Sequence, residues 1–290
     1  MKRTIVLSVS LYGLLMSAIA LAQDVKDTYT YKVGLFDITL LAESQGQGNK
    51  DILIDATPEM MQECAPDGTF PNAMNAFLVK TPDMNVLVDA GLGIKLFANL
   101  ESSGVKADQI DVVLITHMHG DHIGGMLKDG EVMFPNAKVY IGKAEHDYWM
   151  NAEGNRSQQA KDVIAAYKDK LVLFQPGEIG SKAKDVIPGF TPFAAFGHTP
   201  GHTIFQVESD GEKLLIWADL THAMALQMPY PQVAVTYDTD PAMAIASRIQ
   251  TLEYVAKNNI PIAGMHIAFP AMGMITKDVS GKGYRFNPFK

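Results

Sequence analysis

The sequence predicts an α/β protein in which mixed sheets are faced by helices, and three observations predict it. Apolar runs of strand length alternate with segments of helical spacing through most of the chain. The composition, 47% hydrophobic over 290 residues, supplies apolar surface for one sizeable core or two small ones. Histidines and aspartates sit at the ends of several apolar runs, and strand ends are where such sheets open into ligand crevices.

Residues 1–22, MKRTIVLSVSLYGLLMSAIALA, start basic at Lys2 and Arg3, continue apolar and close small-x-small at Ala20 and Ala22. That is the pattern of a cleaved secretory signal, so the mature chain is expected to be one domain over residues 23–290, periplasmic or secreted. No later segment is long and apolar enough to cross a bilayer, and no membrane contact is expected after cleavage. YKVGLFDITLLAES alternates as one or two opening strands. The polar stretch from Ser44 to about Asn75, relieved only by DILID, reads as a long loop region. AFLVKTPDMNVLVDAG is two apolar runs joined by a turn, a hairpin. GIKLFANLESSG has helical spacing and a glycine stop, QIDVVLITH and AKVYIGK are strands, and RSQQAKDVIAAYKDK is a helix. The second half repeats the theme, with strands at FTPFAAFG, TIFQVES and KLLIWAD, a helix over PAMAIASRIQTLEYVAKNN and a strand at IPIAGMH.

Composition narrows the function. A formal net charge of -8 and the lack of any lysine or arginine run argue against a phosphate-tracking surface, so nucleic acid is not expected as a partner. Cys64, the only cysteine, precludes an internal disulfide; within MQECAPDG it reads as a loop thiol. Stability must rest on the core and on any bound metal.

The chemistry concentrates in THMHGDHIGG, directly after DVVLI, in a chain with eight histidines. A lone histidine beside an apolar run is usually a satisfied structural residue. Here His117, His119, Asp121 and His122 fall within six residues, and burying four such groups unpaired would cost several kcal/mol each. Neutral imidazole and carboxylate are ligands for zinc and similar divalent ions. His202 in GHTPGHT, Asp219 after KLLIW and His266 after PIAGM bring the candidates to seven, too many for one tetrahedral ion. Two sites share them: His117, His119 and His202 around one ion, Asp121, His122 and His266 around the other, with Asp219 between. Two divalent ions per chain are expected, zinc foremost, although such donors also accept manganese, iron or cobalt. A pair roughly 3.5 to 4 Å apart can share a hydroxide and polarise a carbonyl or phosphoryl oxygen, which is equipment for hydrolysis.

HMHGDH also fits the H-x-H-x-D-H signature of the metallo-β-lactamase superfamily. FLVKTPDMNVLVDAG, ITHMHGDHIGG, FPNAKVY, HDYW, GHTPGHT, IWADL and IAGMHIAFPAMGMI resemble its methyl parathion hydrolase-like branch, close to the N-acyl homoserine lactonases. The resemblance spans nearly the whole mature chain. It implies a four-layer αββα sandwich with the binuclear site on one edge, the same seven ligands, and a homodimer. Asp219 stands where β-lactamases proper place cysteine, which argues against antibiotic hydrolysis, and Gly120 stands where the close branch often has proline, a change in loop stiffness. Asp89, ending NVLVDAG, matches an aspartate that supports the metal loop from behind, and Trp149 an aromatic lining the leaving-group pocket.

Other residues near the ligands carry weaker expectations. His222, three after Asp219, is a candidate pocket wall or proton relay, and Phe269 with Pro270 a candidate pocket rim. His198 reads as a structural hydrogen-bonding residue and His146 as a surface or helix residue. Met118, Met224, Met265, Met272 and Met274 could offer flexible thioether walls, although core filling explains most methionines. The expected function is a metal-dependent hydrolase of small lactones or esters, with phosphotriesters in range, and Asp121 or Asp219 as proton acceptor. A glyoxalase II-like thioesterase would add a basic helical segment where this chain runs only 24 residues past His266. The non-enzyme alternative, a periplasmic metal-binding protein, does not account for a bridging carboxylate.

Overall fold

The computed structural model describes residues 27–290, so the expected signal segment lies outside the described residues. A seven-stranded sheet carries, in spatial order, Thr28–Val33, Phe36–Asn49, Thr69–Lys80, Asn85–Val88, Val112–Ile115, Lys138–Gly142 and Leu171–Phe174. Its first four strands pair antiparallel and its last three join in parallel, as the switch from hairpins to helix-and-strand alternation predicts. A six-stranded sheet carries Phe190–Ala194, Thr203–Ser209, Glu212–Ile216, Ile262–Ala263, Met272–Lys277 and Tyr284–Pro288.

Strand periodicity explains the layering. Val112 and Leu114 face the second sheet in a shared core with Phe205, Leu215 and Trp217. Val113 and Ile115 point the other way, onto a cluster with Leu96, Leu100, Val163 and Tyr167 from the helices Leu96–Ser102 and Asn155–Ala166 and their flanks. A strand buried on both faces must be apolar at every position, and VVLI is. The helix Pro241–Asn258 buries Leu252 and Val255 against the second sheet, completing the αββα order.

The expected loop from Ser44 to Asn75 is corrected by the structure. Phe36–Asn49 and Thr69–Lys80 pair as a long antiparallel arm from Asp37–Lys80 to Asn49–Thr69, with an irregularity at Ala42/Ser44. Between them lie the helix Pro58–Cys64 and the short strand Leu53–Ile54, which pairs with Ala234–Val235. Cys64 therefore closes a helix instead of lying in a loop, and partial burial pushes its thiol pKa up.

Candidate metal centre

The two sheets meet along one edge, and the backbone stitches them there: Thr203, opening a strand of the second sheet, donates its N–H at 3.0 Å to the carbonyl of Thr116, which follows Val112–Ile115 of the first. Strand ends deliver the ligands to this edge. His117 follows Val112–Ile115, Asp219 follows Glu212–Ile216 and His266 follows Ile262–Ala263. Asp89 (φ 58°) and Ala218 (φ 50°) are non-glycine residues in left-handed conformation, at roughly 1–2 kcal/mol each. Such strain persists where a site over-determines it.

Two donor groups result. Ligand atoms of His117, His119, His198 and Asp219 lie within 4.8 Å of one another, and so do those of Asp121, His122, Asp219 and His266. Asp219 belongs to both. His117 Nε2 and His198 Nε2 each lie 3.0 Å from His119 Nδ1. On the other side, Asp219 Oδ1 is 3.0 Å from His122 Nε2, and Asp219 Oδ2 is 3.0 Å from His266 Nε2.

As its atoms cluster, the first group holds His198, where the sequence reading placed His202. Both nitrogens of the buried His202 are used, Nδ1 donating to the Ala195 carbonyl at 2.9 Å and Nε2 accepting the Asp219 backbone N–H at 3.1 Å. It shapes the Asp219 turn. His198 donates Nδ1–H to Asp238 at 3.0 Å and turns Nε2 toward His119 Nδ1 at 3.0 Å and Asp219 Oδ2 at 3.3 Å.

The same logic sets the other rings. His122 donates Nδ1–H to Asp89 Oδ2 at 2.7 Å, His266 to the Ala73 carbonyl at 2.8 Å, and His117 to Thr116 Oγ1 at 3.1 Å. Thr116 gives its own hydroxyl proton to Asp89, which also accepts the Thr116 N–H, so Asp89 stands behind the loop. These partners assign the tautomer that leaves each Nε2 lone pair facing inward.

The donor set fits cations on a direct observation. His122 Nε2 and Asp219 Oδ1 are buried without a hydrogen-bond partner, although they lie 3.0 Å apart. Leaving two such atoms unsatisfied is costly, and a divalent ion between neutral imidazole and carboxylate removes the cost. Electrostatics agrees. Burial, then neighbouring imidazoles, holds His117 well below the usual histidine range and His119 at about 3, which keeps them neutral as ligands must be. For His266 burial opposes the charged form but the Asp219 carboxylate prevails, raising it to about 10, and His122 is raised in the same way. Without metal, protons sit where a cation would.

A cleft of about 790 Å³ opens over the site, with His119, Asp121, His198, Asp219, His222 and His266 on its floor. Met74, Leu92 and Ile52 give it apolar wall, and Gln47, Asn72, Gln159, Arg156 and Tyr237 give it polar wall. Met74 belongs to the arm that reads as loop in the sequence. His222 lines the cleft and places Nε2 3.1 Å from Asp219 Oδ2, while its Nδ1 is buried without a partner. Burial holds it neutral, at about 4.

Trp149 and Phe269 are not among the residues lining this cleft. Trp149 is buried, donates Nε1–H to Glu145 at 2.5 Å and sets its ring edge-on to His119, so it backs a ligand. Phe269 packs edge-on against Tyr29. Met118, Met265 and Met272 fill core.

Fold and donor set together define the class: a two-sheet sandwich whose edge is built to hold cations. The chain belongs to the metallo-beta-lactamase superfamily, whose family model matches residues 70–255. A solved hydrolase of the beta lactamase superfamily, AbOPH, superposes with a TM-score of 0.82 at 28% identity, covering 92% of this chain and 99% of its own. AidC, a dizinc quorum-quenching lactonase in complex with a product, gives 0.81 at 26% identity, covering 91% and 97%. The N-acyl homoserine lactonase of Bacillus thuringiensis is 23% identical over 164 residues, 56% of this chain and 58% of its own. Exodeoxyribonuclease WalJ of Streptococcus pneumoniae is 36% identical over 84 residues, so the match spans only 31% of that relative's length. The superfamily and the lactonase neighbourhood implied by the sequence are both found.

Proposed function

We propose that this metal-dependent hydrolase holds two divalent cations, zinc in the first instance, and cleaves the lactone or ester bonds of small molecules, with phosphotriesters as a second class. One observation carries the reading: the Asp219 carboxylate faces both donor groups, one oxygen toward His122 and the other toward His198 and His266. A carboxylate so placed would serve both members of a pair of ions. When bound, such a pair supplies an activated, shared water and a positive field for charge developing on the substrate. The likeness to a dizinc lactonase over nearly the full length of both chains supports the lactone class.

The protein's own groups divide the remaining work. The Asp121 carboxylate is 24% exposed, at the cleft floor, whereas that of Asp219 is 2% exposed and ringed by imidazoles. Asp121 is therefore placed to take a proton from attacking water and return it to the departing oxygen, while Asp219 holds the site together. Neutral His222 donates Nε2–H to Asp219 and fixes its orientation; its buried Nδ1 makes it a wall instead of a relay. A panel of lactones, aryl esters and phosphotriesters, assayed on chelated and zinc-reloaded protein, tests the proposal. Lactone cleavage lost on chelation and restored by zinc is expected; equal rates in both states would overturn it. Export is proposed on the N-terminal pattern, and N-terminal sequencing of the mature protein should begin at Gln23.

A further inference from the structure

Glu145, on the helix Lys143–Asn151, is a fully buried carboxylate outside the donor groups. Oε1 accepts the Met118 backbone N–H at 2.9 Å and the Trp149 indole N–H at 2.5 Å. Oε2 accepts the Thr199 hydroxyl at 2.6 Å and the Gly201 backbone N–H at 3.0 Å. Met118 lies between His117 and His119, and Thr199 directly follows His198. One side chain thus ties together the two loops that deliver the three imidazoles of one donor group, and the loops come from different sheets. Close approach is built in: a Cβ on Gly201 would stand 2.0 Å from the Glu145 backbone nitrogen, so only glycine lets that loop lie on the helix.

From this geometry we infer that Glu145 is a positioning residue that sets the mutual spacing of His117, His119 and His198. An ionised carboxylate has four lone-pair sites, and four donors fill them. Three of those donors, the two backbone N–H groups and the indole, cannot act as acceptors, and each oxygen faces at least one of them. A glutamine amide would therefore set N–H against N–H on one side whichever way it turned, releasing one loop while keeping nearly the same volume. The second donor group is held from elsewhere, His122 by Asp89 and His266 by Ala73, and does not depend on Glu145.

The inference rests on the metal reading above, and the experiment separates the two. Full-length parent and Glu145→Gln proteins, stripped of metal, are titrated with zinc chloride against a competing chelator, and kcat and KM are measured after reloading. Two uptake steps are expected in the parent. In Glu145→Gln one step should weaken by roughly tenfold to hundredfold, the scale for loss of a group behind a ligand, while the other holds and kcat falls without a rise in KM. Two steps matching the parent, whatever the melting temperature does, would overturn the assignment, as would equal weakening of both. A parent that takes up no zinc would sink the metal reading and this inference with it. Should Glu145→Gln not fold, Thr199→Val removes a single donor and is judged by the same outcomes.

Discussion

His198 and His202 bring the same ring to the same crowded edge, four residues apart, but His198 turns Nε2 toward His119 and the Asp219 carboxylate whereas His202 turns Nε2 toward the Asp219 backbone N–H. His198→Ala should therefore leave about one zinc per chain in place of two by metal analysis after dialysis, with the fold kept. His202→Ala removes the acceptor of the Asp219 N–H and should cost about 1–3 kcal/mol, read as a lower urea midpoint. Equal zinc loss with unchanged stability in both variants would reverse the assignment. Asp89→Asn, which deprives His122 of its carboxylate partner, should lower zinc affinity roughly tenfold to hundredfold. Six of the seven expected ligands fall in the two donor groups, because HMHGDH and the strand-end residues have no other economical purpose. GHTPGHT offers two equivalent histidines, and which of them clusters with the first group depends on the Ala195 carbonyl and the Asp219 N–H, partners invisible in sequence. Glu145 escaped notice for the same reason: nothing in AEHDYW sets its glutamate apart, and only the fold reveals that it meets two distant loops.

Among elements, the paired arm of Phe36–Asn49 and Thr69–Lys80 departs most from its sequence pattern. SQGQGN lacks the alternating apolar residues that announce a strand, because beyond Leu41 and Ala42 the arm leaves the core and is held by backbone pairing. Its function follows from that exit, since it carries Gln47, Asn72 and Met74 to the cleft wall. Gly48 makes the pairing possible: an added Cβ would meet the buried Phe70 ring at 2.3 Å. Gly48→Val should destabilise the protein by about 1–3 kcal/mol in thermal melts and raise KM for a preferred lactone more than it lowers kcat, because the wall moves and the cation ligands do not. A fall in kcat at constant KM would place the arm's influence on the ligands. The helices Leu96–Ser102, Asn155–Ala166 and Pro241–Asn258 and the buried strand Val112–Ile115 were, by contrast, legible to within a few residues, since their 3.6- and 2-residue periods are imposed by the layers they separate. Lys143–Asn151 and the closing strands Met272–Lys277 and Tyr284–Pro288 were not read from the sequence.

For the whole molecule, the layered fold and the site edge follow from alternating apolar periods, whereas the state of the site depends on what fills it. In the metal-free chain two sets of histidines pull stability in opposite directions. His122, His198 and His266 gain proton affinity on folding, His266 to about 10, because burial is overcome by Asp219 and, for His122 and His198, by Asp89 and Asp238 as well. A raised base contributes stability that is complete below the ordinary 6.5 and lost as pH climbs toward the folded value. His117, His119, His202 and His222 are held neutral by burial, His119 and His202 at about 3 and His222 at about 4. Their contribution is complete above 6.5 and lost on acidification, because the unfolded chain then binds protons that the fold excludes. Asp89 and Glu145, raised by burial, oppose this acid limb without cancelling four imidazoles. Chelated protein should therefore lose stability on both sides of the histidine range. Zinc replaces the protons on His122, His198 and His266, so the loaded protein should keep its melting temperature from pH 6.5 to about 9 while the chelated protein declines. The acid limb should persist in both forms, since His222, held neutral at about 4 by burial, lies outside both donor groups. Melts with chelator or excess zinc across that range decide the matter, and a chelated protein flat on the alkaline side would show that the trapped protons are not there.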